Sequence, residues 1–162
     1  MTAAALTRPA KLLLVCSSGG HLFELLSVSD LWNSGAQPRE RAWVCFETAD
    51  AVSLLEGERV HWAHFPTNRN VLNLWRNWRL SKPILEEERP DVVISTGAGV
   101  AVPFLLRARK MGIPTIYIES IARTEDLSTS GKLLHGRVDR FLVQWPELLA
   151  KHPDTEFLGR IL

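Results

Sequence analysis

The 162-residue chain sets 19 Lys and Arg against 18 Asp and Glu, a formal charge of +1, and is 46% apolar and 23% charged. Those fractions describe a folded globular domain and exclude a disordered chain, and the near-neutral balance supplies no field that would attract nucleic acid. Two cysteines, Cys16 and Cys45, are too few for a disulfide scaffold and read as buried thiols of a reducing compartment. Residues 1–11 lack the apolar core of a signal peptide, and no run of about 18 apolar residues could span a bilayer. A cytoplasmic protein is expected, one domain over 1–162 with residues 1–10 a flexible lead.

In chain order, "KLLLVC" (11–16) is a continuous apolar run, the pattern of a parallel strand covered on both faces, and a helical stretch follows at 21–34. "AWVCF" (42–46) repeats the strand pattern before a helix at 49–56, and "VHWAHF" (60–65) alternates like one more strand. A helix over 70–88 leads to the strand "DVVIST" (91–96) and a helix over 99–110, which Gly112, Ile113 and Pro114 punctuate before "TIYIE" (115–119). A helix at 127–136 and the strand "RFLVQ" (140–144) complete the reading. Strands alternating with helices predict an α/β, Rossmann-like doubly wound parallel sheet, whose ligands sit beyond the carboxyl ends of the strands.

That rule directs attention to the turns. In "SSGGH" (17–21), Gly19 and Gly20 would expose backbone N–H groups at a helix start, compatible with an anion cradle, a catalytic corner or a tight structural connection. The turn is not G-x-G-x-x-G, because Phe23 stands where the third glycine belongs, although Glu47 lies where a ribose-binding acid of a dinucleotide protein would sit. His21 opens the helix, where the dipole favours a neutral imidazole able to act as a general base; a packing histidine is the alternative. Gly97 and Gly99 in "STGAGVAVP" (95–103) make a second anion-compatible turn or a common α/β connection.

In "IESIARTEDLSTSGKLL" (118–134), Glu119 leaves a buried strand and is followed by Ser120, Arg123 and Lys132. Glu119 suits a sugar hydroxyl and the two cations suit phosphate, against an internal Glu119–Arg123 ion pair. "SGK" is no Walker A loop, since Asp126 occupies its required first glycine. In "NRNVLNLWRNWRLSKPIL" (68–85), Val71, Leu74, Trp75 and Trp78 share a helical face beside Arg69, Arg76, Arg79 and Lys82. The face suits either an anionic membrane surface or a core stripe with a basic edge. No His/Cys/Asp cluster shows metal-ligand spacing.

Taken together, "KLLLVCSSGGHLFELL", "RPDVVISTGAGVAVPF", "GIPTIYIES", "LSTSGKLL", "DRFLVQWPELL" and "FLGRI" resemble the PssD/CpsF family of bacterial polysaccharide-biosynthesis subunits. They also resemble the eukaryotic membrane-anchoring subunit of the enzyme that adds the second N-acetylglucosamine to dolichol-linked oligosaccharide, and, more distantly, the acceptor half of MurG-type glycosyltransferases. The resemblance implies the N-terminal domain of a GT-B glycosyltransferase, working at the inner face of the membrane with a separate PssE-type chain that holds most of the UDP-sugar. It implies a lipid-diphosphate-linked acceptor on this chain, no metal and no cofactor beyond the donor. His21 would be the base and Glu119 the second candidate. Gly19, Gly20, Gly97, Gly99, Ser120, Arg123 and Lys132 would meet the substrate, Gln144 and Trp145 the cleft or partner, and Trp75, Arg76, Trp78 and Arg79 the membrane. A non-catalytic scaffold and a dinucleotide-binding Rossmann protein are the alternatives. Unlike the eukaryotic members, this sequence begins "MTAAALTRPAK" and shows no spanning helix.

Overall fold

A computed structural model describes residues 10–33, 40–67 and 70–161. The lead expected over 1–10 lies, apart from Ala10, outside them, as does Arg69. Seven parallel strands, β1 (Leu12–Val15), β2 (Arg41–Phe46), β3 (Val60–Ala63), β4 (Val92–Ser95), β5 (Thr115–Ile118), β6 (Arg140–Val143) and β7 (Glu156–Phe157), form one sheet in the order β3-β2-β1-β4-β5-β6-β7. The helices are α1 (Gly20–Asn33), α2 (Ala49–Leu54), α3 (Val71–Glu88), α4 (Ala101–Lys110) and α5 (Thr129–Leu134). The doubly wound Rossmann-like expectation is met, with boundaries within about two residues of those expected at most ends. Not expected were a 3-10 turn at Pro146–Ala150 and the two-residue β7, too short to leave a run in the sequence.

The continuous apolar runs are explained by burial on both faces. Leu13 and Val15 of β1 point into a core closed by Ile84 and Leu85 of α3, Phe104 and Leu105 of α4 and Leu134 of α5. Their neighbours Leu12 and Leu14, with Cys16, point into the opposite core against Leu22 and Leu25 of α1. Cys16 and Cys45 are both free and buried, as expected. β1 pairs with β2 on one side and β4 on the other, so the strand order reverses there. Loops leaving β1 and β4 in opposite directions open a crevice at such a switch point.

At the amino ends of the strands, Glu88 closes α3 as a fully buried carboxylate paired with Lys11 (3.0 Å), Arg59 (2.6 Å) and His61. Burial alone would raise this carboxyl, but hydrogen bonds from His61, Lys11 and Arg59 outweigh it and bring it down to about 2. Because the folded value lies below the unfolded one, the stabilisation is present above the ordinary carboxylate range and is lost as pH falls from there through about 2. Glu88→Ala is therefore expected to cost about 2–3 kcal/mol at pH 7, since it removes the buried carboxylate on which Lys11, Arg59 and His61 converge and leaves the two cations only the exposed Glu40 and Glu87. Urea unfolding of both proteins at pH 7 and pH 3 checks this: the gap between them narrows at the lower pH.

Candidate functional site

The crevice at the switch point is where the glycine turns and His21 meet. His21 Nδ1 lies 2.8 Å from the Thr96 carbonyl, and Thr96 Oγ1 donates to the His21 carbonyl at 2.7 Å. A carbonyl only accepts, so Nδ1 is the donor, and of the two neutral tautomers this bond selects the one with its lone pair on Nε2. His21 lines the crevice, giving that lone pair access to a ligand.

The glycines serve this ring more than they serve an anion. A Cβ on Gly97 would stand 2.9 Å from His21 Cε1 and 3.2 Å from Nδ1, and its φ of +124° is one that side chains rarely adopt. Gly99 admits the β3–α3 loop, since its Cβ would meet Thr67 Cβ at 2.8 Å. Between them Ala98 holds φ +67°, local strain on the crevice wall. Gly19 and Gly20 do not line the crevice, and the Gly19 N–H already donates to Asp50 Oδ2 at 3.1 Å. Hydrogen bonding at this turn, the Gly19 N–H among its donors, holds the Asp50 carboxyl below its usual range. In this structure the Gly19 N–H, one of the donors a phosphate would need, is taken by a carboxylate of the chain itself. The dinucleotide alternative needs the same N–H, while Glu47 is exposed at the end of β2.

The crevice encloses about 500 Å³. Ser17, Ser18 and His21 form one wall, Phe65 to Thr67 another, and Ser120, Arg123 and Ser128 to Ser130 the polar far side. Arg123 is exposed, and its guanidinium makes no ion pair among the described residues, so the alternative of an internal Glu119–Arg123 pair is not what this structure shows. Lys132 does not reach this space; its Nζ pairs with Asp126 at 2.6 Å beside a neighbouring cavity. Lys132, and then His152, hold the Asp126 carboxyl far below its usual range, so this cation already has an anion.

Beneath the crevice lie two buried carboxylates. Glu119, 0% exposed, accepts from the Ser120 N–H (3.0 Å), the Ser128 N–H (2.8 Å), the Ser128 hydroxyl (3.0 Å) and the Tyr117 phenol (3.3 Å). Burial, and then the Glu119 charge, push the Tyr117 phenol well up, keeping it a donor. Gly131 makes room for the carboxylate, because a Cβ there would stand 2.2 Å from Glu119 Oε2. Glu119, the second candidate for the base, lies outside the crevice lining and anchors the loop that carries Ser120, Arg123 and Ser128.

Glu24, absent from the sequence-based candidates, accepts from the Ser120 hydroxyl (2.9 Å), the Ile121 N–H (3.3 Å) and the Gln144 amide (3.1 Å). Burial pushes its carboxyl up, against those bonds. Gln144 is 1% exposed, also donates to the Glu119 carbonyl and accepts from the Ile161 N–H, so it is a buried strut and not a cleft contact. Trp145 donates to the Ile121 carbonyl at 2.6 Å and is covered by Arg160, 3.9 Å from its ring. The single carboxylate in "LFELL", one helical turn beyond His21, was the signal that marked Glu24.

A different residue pattern marks α3. Its buried face toward the β3–α3 loop is polar: Asn77 Oδ1 accepts from the His64 N–H and its Nδ2 donates to the His64 carbonyl, both at 2.9 Å, and Asn73 Nδ2 donates to the Pro66 carbonyl. The apolar stripe therefore faces outward, with Val71 78% and Trp75 53% exposed and Leu74 and Trp78 half-buried. Arg79 lies 4.9 Å from the Trp75 ring, and Arg107 and Lys110 of α4 lie 4.2 and 5.3 Å from that of Trp78. The stripe is thus split, with Val71 and Trp75 open to solvent and Leu74 and Trp78 turned toward α4. No helix among the described residues is long and apolar enough to cross a membrane. His61, Glu87 and Glu88 do bring potential metal-ligand atoms within 4.8 Å of one another, but Lys11 and Arg59 already neutralise the carboxylates.

A family model described as "Oligosaccharide biosynthesis protein Alg14 like" matches residues 70–161. The UDP-N-acetylglucosamine transferase subunit ALG14 of Homo sapiens is 33% identical over 93% of this chain and 82% of its own length. The chain belongs to the Alg14 family. The subunit of the same name from Mus musculus is 32% identical over 94% of this chain and 83% of its own length. Among solved structures, MurG of Acinetobacter baumannii superposes with a TM-score of 0.73 at 18% identity, over 94% of this chain and 46% of MurG. UDP-N-acetylglucosamine 2-epimerase of Rickettsia bellii gives 0.72 at 16%, over 95% and 46%. This Alg14-family chain thus has the Rossmann-like fold found in GT-B proteins and spans about half the length of those structures.

Proposed function

We propose that the chain is the acceptor-side subunit of a two-chain glycosyltransferase that moves a sugar from a UDP-sugar to a lipid-diphosphate-linked acceptor. The observation that carries this is His21, a ring lining the crevice whose Nδ1 is bonded to the Thr96 carbonyl and whose Nε2 has no hydrogen-bond partner among the described residues. An acceptor hydroxyl attacks the anomeric carbon, the new C–O bond forms as the bond to UDP breaks, and the hydroxyl proton passes to Nε2. UDP leaves with the electron pair, and no resident cofactor is assigned. Arg123, without an anion of its own among the described residues, faces the acceptor diphosphate. The donor is held mainly by a PssE-type chain, and the names of the Alg14 relatives make UDP-N-acetylglucosamine the first donor to test. The setting, as for PssD/CpsF-type subunits, is exopolysaccharide or capsule synthesis at the inner face of the membrane, with Trp75, Arg76, Trp78 and Arg79 turned to its anionic surface.

Mixing the chain with a PssE-type subunit, UDP-N-acetylglucosamine and a lipid-diphosphate sugar in anionic vesicles is expected to give product only when both chains are present. Absence of both complex and transfer in every membrane-mimetic condition overturns the reading. In that assay Arg123→Ala is expected to raise the acceptor KM about tenfold or more with a smaller change in kcat, the signature of lost charge-assisted binding. Saturable tight binding of NAD or NADP in a direct titration would instead establish the dinucleotide alternative.

A further inference from the structure

The outward face of α3 does not end at the surface. Val71, Leu74 and Trp78 of α3 face Val102, Pro103 and Leu106 of α4 across an apolar groove of about 320 Å³. A second cavity of about 450 Å³ shares Val71, Leu74 and Val102 with that groove, and shares Thr67, Gly99, Thr129 and Ser130 with the His21 crevice. The three spaces adjoin in a row, and their lining passes from purely apolar, through mixed, to polar with Arg123 at the far end. Gly99 stands at the junction, where the approach of Thr67 leaves no room for a side chain.

Such a gradient matches an amphiphile lying along it. Each volume is in the range of small-molecule sites, roughly 300–1,000 Å³. The apolar end has exposed lips, Val71 and Trp75, and the cations Arg79, Arg107 and Lys110 stand over its tryptophans, complementary to anionic headgroups. A bilayer resting on α3 would use the lips alone and would not require the groove to run on to Ser130. An isolated partner helix would not require continuity with the crevice either.

We propose that the α3/α4 groove holds the first segment of the acceptor's hydrocarbon chain, a single prenyl-type tail drawn from the bilayer while its diphosphate reaches Arg123. This rests on the lipid-linked acceptor reading, and it assigns Leu74, Val102 and Leu106 as chain-binding residues.

Farnesyl diphosphate, below its micellar concentration, and inorganic pyrophosphate serve as probes in titrations of the full chain. The prenylated probe is expected to bind at least about tenfold more tightly than pyrophosphate. Leu74→Glu is expected to remove that advantage while leaving pyrophosphate binding unchanged; Leu106→Glu on the opposite wall does the same and serves where Leu74→Glu fails to fold. Arg123→Ala is expected to weaken both probes together. Equal binding of the two probes, or an advantage that survives both groove variants, overturns the proposal. So does a result in which the groove variants lose only adsorption to phosphatidylglycerol vesicles, which would make the groove part of a bilayer-resting surface. These titrations need neither sugar nor partner. A prenyl preference without any transfer in the assembled complex would keep the groove and refute the transferase reading.

Discussion

His21→Ala is expected to lower turnover of the assembled transferase by about 10²–10⁴-fold, the usual worth of a positioned general base, with folding and partner binding retained. The ring is held by one bond through Nδ1, and its backbone carbonyl keeps the Thr96 hydroxyl when the ring is removed, so the local fold survives the change. Gly97→Ala provides a separate test of positioning. It leaves the imidazole in place but inserts a Cβ 2.9 Å from Cε1 at a φ of +124°, forcing ring or loop to move. Single-turnover assays of the complex, with its assembly followed by gel filtration, separate the possibilities. Unchanged turnover of His21→Ala in an intact complex would make the chain a scaffold for a partner that does all the chemistry.

Glu119→Ala is expected to cost about 2–4 kcal/mol of stability, a fall in Tm of about 5–15 °C for a domain of this size. It would strand the Ser120 and Ser128 N–H groups and leave the Ser128 hydroxyl and Tyr117 phenol only each other, 3.2 Å apart. Glu119→Gln gives no rescue, because an amide can offer one oxygen to donors on both sides and points its NH₂ at the other set. A calorimetric scan of both variants decides between anchor and base. If Glu119 were the base, Glu119→Gln would keep its Tm and lose turnover; as an anchor it loses Tm first.

The fold was legible because burial on both faces writes each central strand as an uninterrupted apolar run, and because glycines and prolines marked the returns. His21 was legible from its place at the carboxyl end of β1. The direction of a face was not. Helical spacing grouped Val71, Leu74, Trp75 and Trp78 correctly, but only the path of His64 to Pro66 reveals that Asn73 and Asn77 turn inward to hold that loop. Glu119 was hidden for a related reason: at the last residue before a loop, strand alternation no longer states whether a side chain faces ligand or core. The glycines were ambiguous, since permissive backbone suits a phosphate cradle and a close approach equally, and only the structure shows Gly97, Gly99 and Gly131 small where His21, Thr67 and Glu119 come close.

Fastening α3 through side-chain amides has an evolutionary corollary. Since Asn73 and Asn77 hold the loop while Ile84 and Leu85 seat the helix in the core, exposed Val71 and Trp75 carry little architectural duty and are free to change with whatever the proposed groove accommodates. One scaffold can then be refitted to new amphiphiles without renegotiating its folding.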